Sequence, residues 1–155
     1  MFDITQFRED ILSPTLNALQ IRDPFFLELL VFTCAVESAG GTYVKQVKGP
    51  ALGIYQLEPA TFTDCWVNYI VRKPDIINLL SLNLAVHRMP HPIEMVTDLK
   101  LATAMAAMLY KQRKACPTTT VPADLWNIYK PLWNTDKGAA VKDTCLKAYA
   151  KFIKA

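Results

Sequence analysis

The chain has 155 residues, of which 52% are hydrophobic and 20% charged, and it carries four cysteines. That length and a mean hydropathy of +0.14 fit one folded domain with a substantial core and exclude an intrinsically disordered chain. A net charge of +3 with a sequence pI near 8.7 suits an anionic polymer such as a bacterial envelope, but falls short of a nucleic-acid-binding signature.

Residues 1–10 lack the basic start, apolar middle and small-residue cleavage site of a signal peptide. The chain is therefore expected to be made in the cytoplasm, and to reach any substrate outside the membrane by release from the cell. Apolar residues at Ile4, Phe7, Ile11, Leu12, Leu16, Leu19 and Ile21 recur at helical spacing, and Ser13-Pro14 predicts a break or bend within them. No apolar run reaches the roughly 18 residues of a membrane span, because Glu28 interrupts the best candidate.

Asp23-Pro24 predicts the start of the next helix, with aspartate as cap and proline in the first turn. Gly40 or Gly41 is expected to end it near Ala39, since glycine closes a helix in the left-handed conformation at little cost. The segment is apolar on nearly every side, which marks it as buried. Two glutamates interrupt it. Glu28 and Glu37 are nine residues apart, roughly 180° around a helix, so they face opposite ways. Glu28 lies near the N-terminus, where the helix dipole suits a carboxylate. Glu37 lies in the last turn, where the dipole and the apolar neighbours disfavour its charge. A carboxyl held protonated near neutral pH is what a general acid needs, whereas one at a frayed helix end merely faces solvent.

A polar linker over residues 40–51 follows, in which Tyr43-Val44 and Gln46-Val47 could pair as a small hairpin. Gly53 hinges a tight turn into a helix that opens on Pro59 and runs to about Arg72. Asp75 is expected to cap a short helix through about Ala85. His87 and His91 lie in a proline-broken loop with no HExxH or i, i+4 pairing, so they predict a surface loop and no metal site. An alanine-rich helix then runs from Thr97-Asp98 to about Lys114, with basic residues at its C-terminal end. Trp126, Tyr129 and Trp133 fall within eight residues and form either an aromatic core or a wall for flat ligands such as sugar rings. An amphipathic last helix carries Cys145, Tyr149 and Phe152. The four cysteines show no CxxC or CxH spacing, and free thiols are expected. The fold class predicted is mainly α, a single domain over residues 1–155, with at most a small hairpin in the 41–57 region.

Two of these segments belong together. Glu37-Ser38 ends a buried helix, and after a polar loop comes Ala51-Leu52-Gly53-Ile54-Tyr55-Gln56-Leu57-Glu58-Pro59-Ala60-Thr61. The pair, in this order and spacing, resembles the lytic transglycosylase domain of the lysozyme-like superfamily over roughly residues 24–135. That family carries a helix ending in Glu-Ser followed by Gly-Ala-x-Gly-Leu-Met-Gln-Leu-Met-Pro-x-Thr. The resemblance implies a lysozyme-like fold and cleavage of the MurNAc–GlcNAc bond of peptidoglycan. Glu37 would protonate the glycosidic oxygen and then act as base while the sugar's own 6-hydroxyl attacks, giving a 1,6-anhydro end. One carboxylate suffices for that reaction, unlike a two-carboxylate hydrolase.

The resemblance further implies substrate contacts at Ser38, Gly53, Tyr55 and Gln56, with Gly53 letting the chain pass close to the sugar. A third family motif, Tyr-Asn-Ala-Gly, has no strict counterpart. Trp133-Asn134-Thr135 stands in its place by order, or Trp126-Asn127 with Tyr129; Tyr129 is taken as the hydroxyl partner of the glutamate, and Trp133 and Asn134 as substrate contacts. Pro50 and Tyr55 depart from the Gly and Met common at their positions.

Glu58 opens an alternative. Goose-type lysozymes, in the same superfamily, carry an acidic residue at that position. If Glu58 or Asp64 held a water across from Glu37, the chain would be a hydrolytic muramidase. Otherwise Glu58 simply caps the helix after it. A non-catalytic wall-binding or structural module is the remaining alternative. The expected partner is the glycan strand of peptidoglycan, bound by a monomer with no cofactor, no metal, no nucleic acid and no membrane span. Small size and the lack of a signal or wall anchor point to a phage lysis protein or a virion-borne module.

Overall fold

Proline at position 14 shapes the N-terminal segment. A single α turn (α1, Ile4–Gln6) passes through a π-helical stretch, Phe7–Leu12, into α2 (Ser13–Ala18) without interruption. The N–H of Ser13 reaches back five residues to the Arg8 carbonyl. Proline has no N–H to donate and its ring crowds the carbonyl four residues back; a widened turn before it relieves both demands. The bend expected at Ser13-Pro14 is thus a π turn within one helix. The computed structural model describes residues 1–135 and 137–155.

Helix α3 (Pro24–Ser38) starts as its sequence dictates, with the Asp23 carboxylate accepting the Phe25 N–H and Pro24 in the first turn. Its end differs from expectation. Ala39, not glycine, takes the first left-handed position (φ 51°), followed by Gly40 and Gly41 in the same region. The Gly40 N–H returns to the Cys34 carbonyl at 3.1 Å, and this bond holds Ala39 in the turn.

Five helices and their extensions follow α3. Helix α4 (Pro59–Cys65) widens into a π stretch, Trp66–Ile70. Helix α5 (Pro74–Leu84) has Lys73 at its cap position; Asp75 lies inside the first turn and does not cap it, because Pro74 already occupies the first helical position. A 3-10 turn, Pro92–Val96, leads to α6 (Leu99–Gln112), where Asp98 accepts the Leu101 N–H at 2.8 Å. Helix α7 (Pro122–Tyr129) runs into a third π stretch, Lys130–Asn134, which contains Pro131. Helix α8 (Lys142–Phe152) ends the chain.

Among the described residues the only β-pairing is two isolated bridges, Lys45–Leu52 and Leu52–Leu57. The hairpin expected between Tyr43-Val44 and Gln46-Val47 does not form. Gln46 instead donates its N–H to the Ala51 carbonyl at 2.9 Å, so the chain turns through Lys48 and Gly49, and Val47 is left 70% exposed. The fold is mainly α.

Leu29, Leu30, Val31, Phe32 and Cys34 of α3 are fully buried, and α6, α7 and α8 pack around them. The alanines of α6 let it approach closely, and Tyr110 of α6 shares a 2.7 Å hydrogen bond with Thr33 of α3 in the interior. Glu28 is also buried. One guanidinium nitrogen of Arg8 contacts both its oxygens, at 2.7 and 2.9 Å, and the Tyr149 hydroxyl donates at 2.6 Å. Glu28 therefore ties α3 to the N-terminal segment and to α8, a more demanding role than a surface charge on a helix dipole. All four cysteines are free thiols; Cys34, Cys65 and Cys145 are buried and Cys116 is exposed. Burial pushes the Cys34 and Cys65 thiols up to about 12. Among the described residues, no helix is long and apolar enough to cross a membrane.

Candidate active site

The last turn of α3 brings Glu37 out of the core at the edge of an open cleft of 420 Å³. Gln56, Glu58, Arg113, Trp133 and Asn134 are among the residues that line it with Glu37. Tyr129, the last residue of α7, is buried behind Glu37 and donates its hydroxyl to Glu37 Oε1 at 2.6 Å. Its ring is held edge-on by Phe32 and flanked by Trp126, at centroid distances of 5.6 and 5.9 Å. The donor is thus fixed by packing on both sides.

Desolvation by burial pushes the Glu37 carboxyl up to about 7; the hydrogen bond from Tyr129 opposes this by favouring the charged form. Burial, together with the negative charge of Glu37, also raises Tyr129, so the phenol keeps its proton and stays the donor. The two glutamates of α3 are now distinct in kind. Glu28 has a cation, Arg8, against it; Glu37 has no ion-pair partner among the described residues. Near neutral pH, Glu37 is poised to give and take a proton, with Oε1 engaged by Tyr129.

The loop before α4 forms the facing wall. Leu52 and Leu57 exchange backbone hydrogen bonds at 3.0 and 2.9 Å, closing a tight turn over Gly53–Gln56. Gln56 sits in the left-handed region (φ 50°), and both its N–H and its side-chain amide donate to the Gly53 carbonyl, at 3.0 and 2.8 Å. That pair of bonds spends one amide hydrogen and leaves the other, with Oε1, for a ligand. Glu58 follows at the cap position of α4, but its side chain makes no capping bond and lines the cleft instead.

Three of the predicted substrate contacts lie elsewhere. Ser38 is fully buried: it donates to the Cys34 carbonyl at 3.1 Å and accepts the Gly41 N–H at 3.0 Å, so it locks the helix end and does not face the cleft. Gly53 is also enclosed. At φ 73°, an added Cβ would stand 3.0 Å from the Met95 carbonyl oxygen and 3.1 Å from the Met95 Cβ; the glycine serves close packing on the 3-10 turn and not the approach of a sugar. Tyr55 is 1% exposed, with its hydroxyl 3.3 Å from Thr103 Oγ1, and belongs to the core. Asp64 is exposed on the outer side of α4, bonded to Asn68 and Gln112, whose hydrogen bonds lower its pKa; it does not line the cleft.

The predicted aromatic wall is divided. Trp133 is half-buried and lines the cleft, its ring 5.0 Å from Tyr110 and 6.4 Å from Tyr55, whereas Trp126 backs Tyr129. Asn134 lines the cleft with its Oδ1 already engaged by Lys130 Nζ at 2.7 Å; the same Nζ holds the Gly138 carbonyl at 2.8 Å. Arg113, just past the end of α6, donates to the Leu132 carbonyl and lines the cleft as well. In the sequence, Arg113 is one of the basic residues suited to a helix C-terminus. The signal that places it is its spacing: three residues after the buried Tyr110 and four after Leu109, on the inner side of the last turn.

Among the described residues, no group of three or more His, Cys, Asp and Glu side chains could hold a metal ion. His87 Nδ1 is 2.7 Å from Ser81 Oγ, and the His91 N–H is held by Glu94. No family model, curated protein or solved structure matches this chain.

Proposed function

We propose that the chain cleaves the glycan strands of peptidoglycan at the MurNAc–GlcNAc bond as a lytic transglycosylase, on a lysozyme-like arrangement of helices. The observation that carries the reading is Glu37. It is a carboxyl at the lip of a polar cleft, raised to about 7 and held at one oxygen by the Tyr129 hydroxyl. Protonated, Glu37 delivers its proton to the glycosidic oxygen as the bond to the anomeric carbon breaks. The resulting carboxylate, stabilised by Tyr129, then takes the proton of the sugar's 6-hydroxyl as that oxygen closes on the anomeric carbon. Gln56 and Asn134 offer polar contacts to sugar hydroxyls and amides, and Trp133 offers an apolar face to a ring.

Glu58 favours a second reading, hydrolysis by an inverting muramidase. It is exposed, free of a capping bond, and lines the same cleft as Glu37, where it could hold a water. Digestion of purified sacculi followed by mass analysis separates the two. Anhydro-muramyl ends support the transglycosylase, free reducing ends support the muramidase, and no released fragments would sink both. The proposed cellular setting is a wall-degrading protein of phage lysis or of a virion, acting on the wall after release.

A further inference from the structure

The described residues that line the cleft include two carboxylates, Glu37 and Glu58, and a single cation, Arg113. None of the described carboxylates lies within ion-pair distance of Arg113; the two ion pairs found are Arg8–Glu28 and Arg88–Glu94. Arg113 is nevertheless held. Its backbone N–H closes α6 onto the Leu109 carbonyl, and its guanidinium donates to the Leu132 carbonyl in the π stretch beside Trp133. One arm of the fork is therefore anchored to protein, leaving further N–H donors directed by a fixed guanidinium plane. A half-buried, anchored arginine facing a ligand cleft is suited to bidentate recognition of a carboxylate, a charge that a neutral sugar ring does not carry.

Resting on the reading of this cleft as a glycan site, we propose that Arg113 binds a carboxylate of the substrate and makes the protein select muramyl glycans over neutral polymers of N-acetylglucosamine. Muramyl units carry a lactyl side chain that ends in a carboxylate when bare, or extends into a peptide with carboxylates of its own. Either source supplies the same chemistry. Glu58 adds selectivity by repelling an anion that enters away from Arg113.

The test uses full-length Glu37→Gln protein, which should bind without cleaving. Calorimetric titration compares a chitooligosaccharide, a peptide-free muramyl glycan and a peptide-bearing muramyl glycan of equal length. The expected result is affinity about tenfold or more higher for at least one carboxylated glycan than for the neutral one, as a charge-assisted hydrogen-bonded pair provides. The carboxylated ligand that shows the gain identifies the source. Adding Arg113→Gln, which keeps an amide donor for Leu132, should bring that affinity down to the neutral level, and Arg113→Lys should restore part of it. Amidating the ligand carboxylate should remove the preference without any change to the protein, so a misfolded variant does not blunt the test. Equal affinity for all three glycans, or a preference that survives amidation, overturns the role of Arg113 and leaves the glycan cleft standing. Failure of every glycan to bind overturns both.

Discussion

Tyr129 donates a 2.6 Å hydrogen bond to Oε1 of Glu37, and this bond decides which oxygen of the carboxyl is left to carry a transferable proton. It also sets a balance. Burial raises the carboxyl and the phenol lowers it, and the outcome near 7 is the difference between them.

Removing the phenol should tip that balance upward. In Tyr129→Phe the carboxylate loses its donor, so the Glu37 pKa rises further above 7 and the alkaline limb of the wall-clearing pH profile moves to higher pH. Carboxyl-labelled NMR titration reads the shift directly. An unchanged or lowered pKa would mean that Tyr129 does not govern the titration of Glu37.

Glu37→Gln should abolish clearing of sacculi, with a loss of about a hundredfold to ten-thousandfold or more, while the far-UV spectrum stays that of the folded protein. Wild-type activity, in turn, should decline as pH rises through about 7, because the reactive form is protonated. Full activity in the variant would remove Glu37 from the mechanism.

The same residue should leave a mark on stability. The Glu37 carboxyl titrates near 4.5 when unfolded and about 7 when folded, so the folded state holds its proton more tightly. Stability is then intact below pH 4.5 and declines as pH rises through 7, where a partly desolvated charge must form. Glu37→Gln removes that charge. The variant should match wild type near pH 4 and exceed it at pH 8 by about 1–3 kcal/mol, the figure discounted for partial exposure. Urea denaturation at the two pH values checks it.

Gly53→Ala should destabilise by about 1–3 kcal/mol, because the left-handed φ of 73° and the Met95 carbonyl 3.0 Å from the new Cβ both resist it. The cleft wall moves with that turn, so activity should fall with thermal stability. A variant with unchanged melting temperature would contradict the packing role assigned to this glycine.

Glu28 offers a control away from the cleft. Arg8→Met leaves its buried carboxylate with the Tyr149 hydroxyl as its remaining partner and should cost about 1–3 kcal/mol, while Arg8→Met combined with Glu28→Met should recover part of that loss. Equal losses in the single and double variants would show that the pair is not coupled.

Local chemistry was readable along the chain: Asp23-Pro24 and Asp98 start their helices because a short side chain caps a neighbouring N–H, a contact spanning two or three residues. The direction in which a loop side chain points was not. Ser38, Gly53 and Tyr55 sit within the motif yet serve the fold, because a motif specifies residues without saying which of them the surrounding helices enclose. Tyr55 is covered by α6, while the next residue, Gln56, lines the cleft. The role of Arg113 is hidden for the opposite reason. A basic residue at a helix end has a sufficient local explanation in the dipole, and only the tertiary placement of Leu132 turns it toward the cleft. The π stretches were equally hidden, as Pro14 predicts a break but not its form, and Pro131 lies within another such stretch.

The π stretch Lys130–Asn134 carries a consequence of its own. A π turn holds one residue more than the α turn it replaces, so it acts as an insertion absorbed inside a helix. Deleting one residue there would let the α ladder close while the chain beyond it kept its phase, because the extra residue is taken up within the turn. Trp133 and Asn134, which line the cleft, lie inside this widened turn, whereas Tyr129, bonded to Glu37, lies just before it. A change of chain length by a single residue can thus be confined to the ligand-facing segment, with Tyr129 upstream left on Glu37.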